Sequence, residues 1–270
     1  MRDRIDGRDE SRPYKGEQGM AHPWRVWSGQ GEQEGPTGWR WHPQEGVLAG
    51  GEDGALHFCC KRALDVTLAA ALLILLAPLM ALTALLIKLD SPGPALFVQK
   101  RVGARRRSRN GRIVWEVRHF PFYKFRSMAH NADPSLHRDY IRAFVRGRVD
   151  GAGAFKLTHD PRITRVGRAL RRTSLDELPQ LINVLKGDMS LVGPRPVPTY
   201  EVAEYQAWHY ERLAALPGIT GIWQTRGRCQ VPFEEMIRLD IDYVRRQSLW
   251  LDAQLLLLTI PAVLSGRGAG

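Results

Sequence analysis

The feature that most constrains this chain is the uncharged apolar run VTLAAALLILLAPLMALTALLI, Val66 to Ile87, 22 residues long. About 20 apolar residues are enough for a helix to cross the hydrocarbon of a bilayer. Lys61 and Arg62 precede the run, and Lys88, Lys100 and Arg101 follow it. Positive residues mark the cytoplasmic side of a membrane segment, and here both flanks are positive. Pro78 lies near the middle. Proline removes a backbone donor and crowds the preceding turn, so a helix kinks or breaks there. The residues alone leave two topologies open. One is a kinked helix that spans the bilayer. The other is a pair of short legs, 66–77 and 79–87, that dip into one leaflet and return; each would reach only roughly 14–18 Å at the helical rise.

The rest of the chain is polar and basic. The net charge is +11 and it is concentrated: Arg101 to Arg172 holds 19 Lys and Arg against 5 Asp and Glu. Such a field implies an anionic partner, whether nucleic acid, an anionic membrane or a phosphorylated substrate. A nucleic-acid-binding protein has no use for the apolar run, and no groove-reading motif is present, so nucleic acid is not expected as a partner. Three cysteines make no disulfide framework.

Composition divides the chain. Residues 1–57 are rich in Gly, Glu, Arg, Gln and Pro, with Trp24, Trp27, Trp39 and Trp41 at no fixed period. They read as a disordered or loosely packed tail. Residues 58–90 hold the membrane helix, 91–265 a domain at the membrane, and 266–270 a short C-terminal tail. Within 91–265, ALFVQKRVG and IVWEV read as short strands, and the arginine-rich RRRSRNGR between them as a loop. Residues 135–147 place Leu136, Tyr140, Ile141, Phe144 and Val145 at helical spacing with arginines opposite. That pattern suits a membrane surface or an ordinary surface helix. TSLDELPQLINVLKG (173–187) has a helix start and a glycine stop, and 199–216 and 233–246 also carry helical periodicity. LWLDAQLLLLTIPAVL (249–264) is too short and too interrupted for a comfortable span and reads as an interfacial or core helix.

The densest chemistry lies in DPRITRVGRALRRTSLDELPQLINVLKGDMSLVGPRP, residues 160–196. It joins arginines to the adjacent acids Asp176 and Glu177 and to the rigid loop Pro194-Arg195-Pro196. Arginine presents forked donors that match phosphate oxygens. A carboxylate can attack phosphorus, or hold Mg²⁺, which takes one or two carboxylates plus substrate phosphates. Arg171 and Arg172 stand one helical turn upstream. A plainer use of the same residues is a capping box, with Ser174 and Glu177 satisfying free helix amides. Lys124 and Arg126 in KFRSM would share one face of a strand. PGITGIWQTRGR (217–228) is a glycine-rich loop ending in Arg228.

Taken together, KRALD with its proline-interrupted apolar helix, IKLDSPGPALFVQKRVG, FYKFRSM, the 160–196 run, LPGITGIWQTRGR and LDIDYVRRQSLWLDAQLLLLT closely resemble the bacterial monotopic phosphoglycosyl transferases, the bacterial sugar transferase family. The resemblance covers roughly residues 58–265 and is most specific over 160–196. It implies a mixed α/β, helix-rich monotopic membrane protein. Its parts would be a proline-broken re-entrant helix with the break at Pro78, a small β element and amphipathic interfacial helices. It implies transfer of a phosphosugar from a UDP-sugar to polyprenol (undecaprenyl) phosphate through a covalent aspartyl intermediate, with release of UMP. Asp176 matches the nucleophile, and Glu177 its partner, the pair being associated with Mg²⁺. Arg171 and Arg228 match phosphate-contacting arginines, Pro194, Arg195 and Pro196 the family's loop near the donor, and Lys124 and Arg126 a basic motif of the active-site region. The implied location is the cytoplasmic face of the bacterial inner membrane, against anionic lipids; a homodimer is left open. The competing functions are an ordinary membrane-associated glycosyltransferase that releases UDP, and a basic scaffold without catalysis.

Overall fold

A computed structural model describes residues 39–50, 54–147, 160–226 and 231–265. The apolar run forms the centre of one 36-residue helix, α1 (Ala55–Asp90). Leucine and alanine are strong helix formers, and Ser91-Pro92-Gly93 ends the helix by turning extended and then to a positive φ at Gly93. Helical backbone continues through Pro78, with no non-helical residue between the two legs. A single proline deletes one hydrogen bond, whereas the helix formers on both sides keep adding one per residue. Among the described residues, α1 is the one helix long and apolar enough to cross a membrane. Its buried positions Lys61, Asp65 and Ala69, then Thr83 and Ile87, recur every four residues and so lie on one side of the helix. Ile74, Leu75, Leu82 and Leu86 are exposed.

The arginine-rich stretch expected as a loop is strand. β3 (Leu96–Arg109) and β4 (Arg112–Phe125) form a long antiparallel hairpin. Asn110 and Gly111 both have positive φ, 51° and 75°, as the favoured two-residue hairpin turn demands. Arg105–Arg109 on the β3 side of the tip are largely exposed, so no apolar alternation announces that part of the strand. β1 (Arg40–His42) and β2 (Val47–Ala49) extend this sheet on one edge and β6 (Val197–Pro198) on the other, in the order β1-β2-β4-β3-β6. Residues 39–50 are therefore not a loose tail. Trp39, Trp41, Val47 and Leu48 are buried, and Trp41 stacks on Tyr210 with ring centroids 4.3 Å apart. Three-residue strands carry too little periodicity to be read; the tryptophans were the signal. Residues 1–38 and the C-terminal 266–270 lie outside the described residues.

α2 (Ser135–Val145) is the expected amphipathic helix, but Ile141 and Phe144 are buried in the protein core, Phe144 against Phe233 at 6.0 Å. That face is occupied by protein rather than offered to a membrane. The helix expected over 173–187 is interrupted. α3 (Arg165–Thr173) stops at Ser174, whose φ of 57° is left-handed; a 3-10 turn covers Leu175–Glu177; α4 (Gln180–Lys186) starts only after Pro179. β5 (Ser190–Val192) then pairs in parallel with β7 (Gly218–Thr220). Between them come α5 (Thr199–Val202) and a 3-10 turn at Ala207–Leu213, where one longer helix was expected. The chain ends in α6 (Ile222–Arg226), α7 (Phe233–Arg246) and α8 (Leu249–Leu264).

Both ends of α1 dock on one short stretch of this domain. Near the N-terminal end, Arg62 donates to the Leu185 carbonyl at 3.0 Å, and Asp65 accepts from the Leu191 amide at 3.0 Å. Lys61 pairs with Asp252 of α8 at 2.6 Å. At the other end, Asp90 accepts from the Val166 amide at 3.1 Å, and Ile87 packs with Phe125 and Leu170. Residues 166–191 thus touch both ends of the helix. α8 lies beside it with Trp250, Leu257 and Ile260 exposed.

Candidate active site

Asp176 sits in the 3-10 turn after the left-handed Ser174 and is buried, 7% exposed. A non-glycine residue with positive φ is uncommon and marks a position the surroundings enforce. The capping-box alternative does not form: the Ser174 side chain makes no capping bond to the turn. Glu177 reaches Arg195 instead, Oε1 to Nη1 at 3.3 Å.

α3 brings Arg171 to this turn. It fits close because Gly167 lies flat on the Ser127 carbonyl, where a Cβ would collide with backbone. Arg171 Nε donates to Ser127 Oγ at 3.1 Å. Lys124, at the end of β4, faces the same place. Burial lowers its amine to about 8; Asp176 opposes that shift, and Arg171, Arg101 and Arg195 add to it. Arg101 completes the group from β3, lowered to about 10 by burial and next by Arg195. His137 of α2 lies near the same cations. Burial first, then Arg101, Lys124, Arg162 and Arg171, push it down to about 4, so its ring is neutral at physiological pH. Its Nδ1 is 2.6 Å from the Tyr200 hydroxyl.

The Pro194-Arg195-Pro196 loop is held from beneath through three successive carbonyls. The Gly218 amide donates to Pro194 at 2.8 Å, Arg212 to Arg195 at 3.0 Å and Arg101 to Pro196 at 3.3 Å. Arg212 is itself fully buried, paired with Asp240, 3.5 Å from Glu201, and donating to Tyr205 at 2.5 Å. Fixing that carbonyl chain fixes where the Arg195 side chain points.

The structure therefore brings Asp176, Glu177, Lys124, Arg171 and Arg195 together. It commits Arg126 elsewhere. The Arg126 guanidinium donates to the Pro92 carbonyl at 2.6 Å, to Ser91 O and Oγ at 2.7 and 2.9 Å, and to Ile87 O at 3.4 Å. It closes the free carbonyls at the C-terminus of α1 rather than joining the acid pair. Arg228 lies outside the described residues. Arg101, Arg212 and His137 were not anticipated; a buried strand arginine has no spacing that betrays it. Among the described residues, no three His, Cys, Asp or Glu side chains gather as a metal cluster. The donor set is the carboxylate pair Asp176 and Glu177. That set fits Mg²⁺, which keeps waters and substrate phosphates as its remaining ligands.

The model of the bacterial sugar transferase family matches residues 56–266. The chain is 44% identical over 214 residues to the galactosyl transferase CpsE of Streptococcus agalactiae, covering 79% of this chain and 44% of that protein. It is 43% identical over 218 residues to the UDP-glucose:undecaprenyl-phosphate glucose-1-phosphate transferase of Caulobacter vibrioides, covering 77% and 71%. It is 37% identical over 209 residues to the exopolysaccharide production protein ExoY of Rhizobium meliloti, covering 77% and 87%. The chain belongs to the bacterial sugar transferase family. It spans less than half the length of the streptococcal relative.

Proposed function

We propose that this protein transfers a phosphosugar from a UDP-sugar to undecaprenyl phosphate, releasing UMP, as the first membrane step of glycan assembly. The observation that carries this is a buried carboxylate, Asp176, close to Lys124, whose other charged neighbours are Arg171, Arg101 and Arg195. A carboxylate beside such cations suits attack on a diphosphate whose charge those cations offset. The Asp176 carboxylate oxygen attacks the sugar-bearing phosphorus. The bond from that phosphorus to the bridging oxygen breaks, and UMP leaves with the electron pair. The phosphate oxygen of undecaprenyl phosphate then attacks the same phosphorus, and the aspartyl oxygen departs as free carboxylate. Lys124 and Arg171 hold the diphosphate, and Arg195, fixed through Arg212, holds Glu177 beside it. Mg²⁺, bound by Asp176 and Glu177, would supply further charge neutralisation at the phosphates.

The same domain carries the membrane reading. A spanning α1 would need the stretch 166–191, which bonds to both its ends, to cross the bilayer with it. That stretch includes Arg168, Arg171, Arg172, Asp176 and Glu177, and charges at bilayer depth are costly. We therefore place both ends of α1 on the cytoplasmic face of the inner membrane, with the helix bending at Pro78 so that it dips into one leaflet, and the basic surface against anionic lipid head groups. Incubation of membranes with a UDP-sugar and undecaprenyl phosphate tests the reaction: UMP is the expected nucleotide, and UDP would instead indicate an ordinary glycosyltransferase.

A further inference from the structure

A cleft of about 320 Å³ opens between α1 and α8 and runs down to the acid turn. Its upper walls are apolar, formed by Leu72 and Leu76 of α1 and Leu256 and Val263 of α8. Glu177, Arg195 and Gln224 bring polar groups to its lining, beside Leu175 and Leu178. The outer faces of the same two helices are exposed and apolar, with Leu75 73% and Leu257 68% accessible. The mouth of the cleft therefore opens where those helices would meet lipid.

We propose that this cleft seats the acceptor: the phosphate of a long-chain isoprenoid phosphate lies at Arg195, and the first links of its chain lie between Leu72, Leu76, Leu256 and Val263. This rests on the reaction proposed above. The volume sits at the low end for small-molecule pockets, enough for a head group and the start of a chain, with the remainder left in the bilayer. Charge complementarity fixes the direction, since the anionic end meets Arg195 and the chain meets leucine. Gln224 adds a second pointer. It lines the cleft, and both polar atoms of its side-chain amide are buried with no hydrogen-bond partner. A buried amide without partners is costly, and a phosphate oxygen accepting from Nε2 would satisfy half of it. A water-soluble donor has no comparable route here, because the α1 wall is uncharged from Val66 to Ile87. It approaches from the side of Lys124, Arg101 and His137. The two substrates thus reach the acid pair from opposite sides, Glu177 facing the cleft.

The test uses the full chain in lipid nanodiscs and an undecaprenyl phosphate carrying a diazirine near its phosphate end. Light should attach the probe to the cleft-lining residues Leu72, Leu76, Leu256 and Val263, and unlabelled undecaprenyl phosphate should compete while phosphatidylglycerol should not. Labelling only of the outer faces, at Leu75 or Leu257, overturns the assignment. In steady state, Leu256→Trp or Leu76→Trp should raise the acceptor KM about tenfold by filling the cleft, while UMP formation from donor alone continues. Leu257→Trp, on the outer face, should leave the acceptor KM unchanged. Equal effects of the inner and outer variants contradict the proposal. If the native protein forms no UMP from donor, the reaction scheme falls, and the crosslinking pattern still decides whether the cleft holds the lipid.

Discussion

Two groups of cations in this protein are put to different uses. Around the acid pair Asp176 and Glu177, Lys124, Arg101, Arg171 and Arg195 gather from four elements, and burial lowers both Lys124 and Arg101. At the ends of α1 the cations instead bond to the helix ends and to the backbone around them. Lys61 bonds to Asp252 and to the Val192 carbonyl, Arg62 to the Leu185 carbonyl, and Arg126 to three residues at the end of the helix. The first group gathers positive charge about the acid pair, with Arg195 bridged to Glu177 and Arg171 bonded to Ser127; the second is a set of clamps on the helix. Lys124 and Arg126 stand two residues apart and belong to different groups. Basic composition alone does not tell them apart, whereas the destination of each N–H does.

The contrast can be broken or sharpened by substitution. Asp176→Asn should lower phosphosugar transfer by about three orders of magnitude or more, with the thermal midpoint of the solubilised protein little changed. Lys124→Ala should lower kcat/KM for the donor about a hundredfold, the worth of a lost charge-assisted contact to phosphate of roughly 3 kcal/mol. Arg126→Ala should do the reverse, costing about 3 kcal/mol of stability in chemical denaturation through the unpaired helix carbonyls, with activity per folded molecule retained. Equal loss of activity in both variants would erase the distinction drawn here. Trp41→Ala should destabilise by about 3 kcal/mol, which tests whether residues 39–50 belong to the core. The smallest effect is in pH. With its amine lowered to about 8, Lys124 is charged below that pH and neutral above it. The kcat/KM profile for the donor should therefore fall as pH rises through about 8. Lys124→Arg should move that limb to higher pH, since guanidinium stays charged.

Much of the site was legible in the sequence because its residues lie close together along the chain. Asp176, Glu177, Arg171 and Arg195 fall within 25 residues, and a turn, a helix and one rigid loop are enough to converge them. What escaped depends on long-range pairing. Arg101 comes in through strand register, opposite Pro198 and Phe120. Arg212 acts from under the loop, and Arg126 found carbonyls 34 to 39 residues away. The fold shows the same division. α1 and α7 were plain from composition and period. The β3 side of the hairpin tip hid because Arg105–Arg109 are largely exposed, although Asn110-Gly111 is a strong turn signal. The small strands β1 and β2 hid because they are held by buried tryptophans, Trp39 and Trp41, the latter meeting Tyr210 only in the folded chain.

The central claim is that Asp176 carries the phosphosugar between donor and acceptor. It is tested most directly by incubating the protein with a UDP-sugar and Mg²⁺ in the absence of undecaprenyl phosphate, quenching in acid, and mapping the peptides by mass spectrometry. The expected result is one phosphosugar adduct on the peptide containing Asp176, formed with UMP and discharged when undecaprenyl phosphate is added. Transfer proceeding with UDP as the released nucleotide, or with full activity in Asp176→Asn, would contradict it.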